Sequence, residues 1–86
     1  MPKIKVKFVS LIKDYTGVKE ITVNIPSGSK LKDLFNILEE KFPRLKELKE
    51  KNINIVVLAD GQTVYEDNQD ISIYRIIVLL PPASGG

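Results

Sequence analysis

The chain has 86 residues, 13 Lys+Arg against 11 Asp+Glu for a net charge of +2, and neither cysteine nor histidine. So short a length supports one small core, and the two missing residue types exclude disulfides, thiolate metal sites and any Ser/His or Cys/His relay. The charge surplus is far from the polybasic character of nucleic-acid binders, the stretch opening Met1-Pro2-Lys3 lacks the apolar run of a secretory signal, and the longest apolar runs, Ile55–Ala59 and Ile76–Pro82, are too short to span a bilayer. A cytoplasmic protein with no metal, nucleic-acid or membrane partner is expected.

Ile4, Val6 and Phe8 alternate with Lys3, Lys5 and Lys7, which predicts a strand with one buried and one solvated face. Ser10–Tyr15, closed by Thr16-Gly17, reads as a short helical turn that reverses the chain. Ile21, Val23 and Ile25 then alternate with Glu20, Thr22 and Asn24 as a second half-buried strand, stopped by Pro26-Ser27-Gly28. Ser29 is placed to cap a helix whose apolar stripe is Leu31, Leu34, Phe35, Leu38 and Phe42, and Pro43 ends it. Arg44–Asn52 reads as a short solvated helical turn, with Leu45 and Leu48 three apart and Glu47 four residues before Lys51. Ile53–Ala59 is a third strand ended by the tight-turn pair Asp60-Gly61. Gln62–Tyr65 offers a brief fourth strand, Glu66–Asp70 an acidic loop, and Ile76–Leu80 a last strand before Pro81-Pro82.

Two strands, a long helix and then the remaining strands predict an α+β fold, a mixed sheet of four or five strands with one main helix across one face. A right-handed crossover through the helix puts the last strand beside the first and parallel to it at the centre of the sheet. That is the β-grasp arrangement. It assigns residues 1–80 to the domain and 81–86 to an extended tail.

No self-contained catalytic constellation is present. Ser27, Ser29, Asp33 and Asp60 are accounted for as turn and cap residues, and the scattered Tyr15, Tyr65 and Tyr74 make no stacking platform. The lysine row Lys3, Lys5, Lys7 is either a plain solvated face or a docking surface for an acidic partner. What stands out is the end of the chain, Leu80-Pro81-Pro82-Ala83-Ser84-Gly85-Gly86. Pro81 and Pro82 favour an extended conformation and cannot continue a ladder, so the tail leaves the domain in a defined direction. Six residues reach up to about 20 Å. Gly85 and Gly86 lack Cβ atoms and can thread a narrow channel, and a terminal glycine presents an unhindered carboxylate. A bare Gly-Gly end is unspecific; following a Pro-Pro step, a last apolar strand and this element order, it is informative.

With strand Ile4–Phe8, the Tyr15-Thr16-Gly17 turn, Pro26-Ser27-Gly28-Ser29 before a helix, Asp60-Gly61 and the tail Pro81-Pro82-Ala83-Ser84-Gly85-Gly86, nearly the whole chain resembles the sulfur-carrier small subunits of molybdopterin synthase, within the ubiquitin-like and thiamine-sulfur-carrier superfamily. Two departures are visible. Ile73-Tyr74-Arg75 stands where the family commonly has an acidic-Gly-acidic turn, and Asp60-Gly61 where Asn-Gly is frequent. The resemblance implies that an ATP-consuming adenylating enzyme of the ubiquitin-activating type activates the Gly86 carboxylate and that a persulfide, from a sulfurtransferase, converts it to a thiocarboxylate. The sulfur then passes to a pterin precursor in the synthase large subunit, for molybdenum or tungsten cofactor. No cofactor is expected on the carrier itself. The same activated glycine would also suit a protein modifier that forms isopeptide bonds with lysines of target proteins, or a sulfur donor for tRNA thiolation.

Period 2 divides the last strand into Ile77 and Leu79 on one face and Ile76, Val78 and Leu80 on the other, and the resemblance assigns the first pair, with Val57, to the core. Val56, Leu58, Val78 and Leu80 then face outward. Either loops or the second helical turn cover them, or they form a partner surface at the root of the tail, flanked by Lys3, Lys5 and Lys7.

Overall fold

In the computed structural model, which describes residues 2–82, alternation in the first strand is complete: β1 (Lys3–Phe8) buries Ile4, Val6 and Phe8 and exposes its three lysines. α1 (Leu11–Thr16) reverses the chain through left-handed Gly17 into β2 (Glu20–Asn24), antiparallel to β1. α2 (Leu31–Lys41) follows, then a 3-10 turn (Pro43–Leu45) and α3 (Lys46–Glu50). β3 (Val56–Ala59), β4 (Gln62–Val64) and β5 (Ile76–Leu80) complete a sheet ordered β2-β1-β5-β3-β4, in which β1 and β5 run parallel at the centre. This is the β-grasp topology expected from the order of elements. α2 carries the chain from β2 past β1 and β5 to β3, which leaves β5 to return between β1 and β3.

The core takes one face of the sheet and the stripe of α2. Leu31, Leu34 and Leu38 are buried with Ile4, Val6, Phe8, Val23, Val57, Ile77 and Leu79, while Phe42, at the end of the helix, is half-buried and meets Phe8 edge to face with ring centroids 5.5 Å apart. Ile12, Ile25, Leu45, Leu48, Ala59, Val64 and Ile71 fill the remainder.

Four local expectations are corrected. Ser29 does not cap α2: its hydroxyl donates to the Pro26 carbonyl at 2.7 Å, and Lys30 holds the cap position. The first amides of the helix are satisfied instead by the acidic loop, Leu31 N–H donating to the Gln69 carbonyl and Lys32 N–H to that of Asp67, both at 3.0 Å, while the Asp33 carboxylate accepts the Lys30 N–H at 2.9 Å. A crossing loop can supply those acceptors as well as a side chain can. Arg44–Asn52 is not a solvated turn, because Leu45 and Leu48 are buried beneath it. Glu47 pairs with Arg44 at 3.5 Å rather than with Lys51, whose ammonium donates to the Tyr15 hydroxyl at 2.8 Å. The third strand begins at Val56 instead of Ile53, because β4 ends at Val64 and β5 at Leu80, leaving residues 53–55 no strand to pair with. The fourth strand likewise stops before Tyr65, which is 87% exposed.

The Asp60-Gly61 turn has φ of 47° and 85° at its two residues, the left-handed pair that a two-residue hairpin loop requires. Asp60 also braces the sheet: its carboxylate accepts the Ile76 N–H at 2.9 Å and the Arg75 N–H at 3.1 Å, tying the β3–β4 turn to the start of β5. A second brace joins the loop before β5 to the turn before α2. Ser72 donates to Asp70 through its hydroxyl at 2.7 Å and its N–H at 2.8 Å, and the same hydroxyl accepts the Gly28 N–H at 2.9 Å. The Ser72 hydroxyl, followed by the Ser72 N–H, holds the Asp70 carboxyl below its ordinary value of 3.8. A depressed carboxyl pKa stabilises the fold fully above the unfolded value and loses that contribution as pH falls through the folded one. In an acid titration followed by NMR, the Ser72 and Gly28 amides are expected to shift together with a midpoint below 3.8, and Asp70→Asn to abolish the transition.

Candidate functional site

A strand packed against helices on one face needs apolar residues only at alternate positions, yet β5 is aliphatic throughout. The register shows where the surplus goes. Val56 lies opposite Leu80, and Leu58 opposite Val78, on the face turned away from the helices. All four are half-buried, whereas their inward neighbours Val57, Ile77 and Leu79 are at most 3% exposed. Ile76, 38% exposed, continues the row along β5, and Thr63, opposite Leu58, borders it on β4. On the other side, parallel pairing sets Lys7 beside Val78 and Lys5 beside Ile76. The six residues expected at a partner surface, Val56, Leu58, Val78, Leu80, Lys5 and Lys7, therefore share one side of the sheet. Helices cover the opposite side.

Leu80 ends β5, half-buried Pro81 and exposed Pro82 follow it, and the apolar row thus leads directly to the root of the tail. Ala83, Ser84, Gly85 and Gly86, the threading and reactive residues expected from the sequence, lie outside the described residues. Among the described residues no cluster of His, Cys, Asp or Glu could hold a metal ion, and no helix is long and apolar enough to cross a membrane. Ile73-Tyr74-Arg75 is a connection into β5 braced by Asp60 and by a hydrogen bond from the Gln69 side chain to the Tyr74 hydroxyl at 3.1 Å, with Ile73 74% exposed.

Sequence reasoning did not single out Glu20. It lies opposite Lys7 and forms an ion pair with Lys5 at 3.5 Å. Its alternation with Ile21 marked it as outward, but pairing across a connection as long as residues 9–19 is not set by local turn rules, so its neighbours were not legible.

No family model matches the chain. The molybdopterin synthase sulfur carrier subunit of Arabidopsis thaliana is 32% identical over 84 residues, covering 98% of this chain and 83% of that protein. The chain belongs to the family of molybdopterin synthase sulfur carrier subunits. Among solved structures, the complex of subunits 1 and 2 of molybdopterin-converting factor from Helicobacter pylori 26695 contains a chain that is 26% identical, with a TM-score of 0.68 over 98% of this carrier and 99% of that chain. SAMP1 from Haloferax volcanii superposes with a TM-score of 0.77 at 18% identity, over 98% and 99% of the two chains, a likeness of fold.

For a sulfur carrier, the outward apolar row tests simply. Leu58 and Leu80 are half-buried on a face without helices, so an aspartate at either leaves the core intact. Leu58→Asp and Leu80→Asp are expected to keep the circular dichroism spectrum of the parent and to weaken binding to a large-subunit partner by tenfold or more, roughly the loss of one central apolar contact. Unchanged affinity for that partner would remove this face from the site.

Proposed function

We propose that the chain carries sulfur on the carboxylate of Gly86. A carboxylate is a poor acyl donor because its oxygen is a poor leaving group; an adenylating enzyme of the ubiquitin-activating type, consuming ATP, makes it an acyl-adenylate with AMP as leaving group. The outer sulfur of a persulfide then displaces AMP to give an acyl disulfide, a thiol cleaves that S–S bond and ends as a disulfide, and the released thiocarboxylate delivers its sulfur to a pterin precursor in the active site of the large subunit of molybdopterin synthase, in the cytoplasm. The carrier contributes no acid, base or metal ligand to these steps. It contributes a recognisable face and a directed tail: docking the outward row aims the Pro81-Pro82 segment, and so the Gly86 tip, into the partner's active site.

The observation that carries this reading is the 32% identity to a molybdopterin synthase sulfur carrier subunit across 98% of the chain. The Helicobacter complex of subunits 1 and 2 supports the large subunit as a partner. Intact-mass analysis of the protein from its native host tests it. A gain equal to one sulfur replacing one oxygen, placed on Gly86 by fragmentation, is the expected result. Branched peptides bearing a Gly-Gly remnant on target lysines, with no sulfur on the tail, would replace the carrier reading with that of a protein modifier.

A further inference from the structure

The outward face of the sheet is divided by charge. On β5 and β3 it is aliphatic, through Ile76, Val78, Leu80, Val56 and Leu58, and carries no charged residue. On β1 it is the exposed row Lys3, Lys5 and Lys7, opposite Asn24, Thr22 and Glu20 of β2. Three lysines against one glutamate leave +2 on this half, which equals the net charge of the whole chain; the other ten basic and ten acidic residues cancel. The net positive charge of the protein therefore equals that of this half of the sheet, which lies alongside the aliphatic row that leads to the tail. A solvated face with no other role has no need of such an imbalance, since mixed signs serve solubility equally well.

Glu20 is the one carboxylate on that half among the described residues. It is opposite Lys7 in the register and holds Lys5 at 3.5 Å, both side chains nearly half exposed. An ion pair so exposed contributes little to stability. Its larger effect is on the field, because a single carboxylate between two lysines lowers the potential that an approaching partner meets.

We infer that the large subunit meets this face with an aliphatic ridge bordered by a strip of carboxylates, that the lysine row steers the encounter, and that Glu20 attenuates the steering. The inference rests on the proposed carrier role and specifies the chemistry of its partner. Steering acts on association and is screened by salt, while the aliphatic contacts govern dissociation.

Stopped-flow association of the full chain with the large subunit, measured across a salt series, tests this. At low salt Lys7→Glu is expected to slow association by about tenfold and Glu20→Gln to accelerate it severalfold, with dissociation little changed. Both differences should fade towards molar salt, where the screening length falls to about 3 Å. Lys32→Glu, on α2 and away from this face, makes the same change of net charge as Lys7→Glu and should leave the rate nearly unaltered. Equal rates for Lys7→Glu, Glu20→Gln and the parent at low salt would overturn the inference, as would a Lys32→Glu effect as large as that of Lys7→Glu, which would reduce the result to net charge. In either of those cases tight binding by the parent, lost in Leu58→Asp, would leave the carrier reading standing. Absence of binding by the parent at any salt would overturn both.

Discussion

Removing Gly86 is expected to abolish formation of the acyl-adenylate and of the thiocarboxylate while leaving the melting temperature unchanged. The chemistry of the proposed cycle takes place on one carboxylate, and shortening the chain by a residue withdraws that group from the partner's active site by up to about 3.5 Å, well beyond the tolerance of an in-line displacement. The last element among the described residues, β5, ends at Leu80, six residues earlier, so the sheet is not involved. A terminal residue beyond the last strand contributes little to stability. Pyrophosphate exchange catalysed by the activating enzyme measures the first step and intact mass the second. Normal exchange with the shortened chain would place the reactive group elsewhere. Gly85→Val should lie between the two, folded but poorly activated, because a β-branched side chain stiffens the backbone and widens the tail where a narrow channel is expected.

Leu34→Ala is expected to cost about 2–5 kcal/mol in a denaturant titration. Leu34 is 0% exposed in the middle of α2. Its side chain belongs to the cluster formed by the inward faces of the central strands, and a chain this small cannot readily collapse around the resulting cavity. Total stabilities near 5–10 kcal/mol are usual for chains of this size, so the substitution would remove a large part of the whole. Phe35→Ala, on the same helix but at a half-buried position, should cost less. A loss below about 1 kcal/mol for Leu34→Ala would show that the helical stripe is misassigned.

Both expectations depend on features that are local in the chain. The alternation of Ile4, Val6 and Phe8 with lysines, the stripe from Leu31 to Leu38 and the Asp60-Gly61 pair each describe a periodicity or a backbone angle, and every one of them occurs in the structure where the residues place it. Side-chain period and turn geometry are properties of a few consecutive residues, so they can be read without knowing what lies across the fold. The tail motif is local in the same sense. Its chemistry is a property of Pro-Pro followed by Gly-Gly and does not depend on packing.

The helix start shows the opposite case. Ser29 has the right chemistry for a cap, yet the carbonyls of Asp67 and Gln69, nearly forty residues away, take the amides it was expected to satisfy, and its hydroxyl turns back to Pro26. Leu45 and Leu48 sit in a run of charges that reads as solvated, and only the placement of that run beside α1 and α2 buries them. For the candidate site, local pattern established that β5 has more aliphatic residues than one buried face can use, and that lysines line β1. Which of the two sets on β5 is core, that Val56 and Leu58 extend the outward set, and that Glu20 reaches Lys5 while facing Lys7 were decided by strand order and register. Those are set by contacts between segments far apart in the chain, whose energies depend on which faces the whole fold buries together, and a one-residue slip would have exchanged the two faces completely.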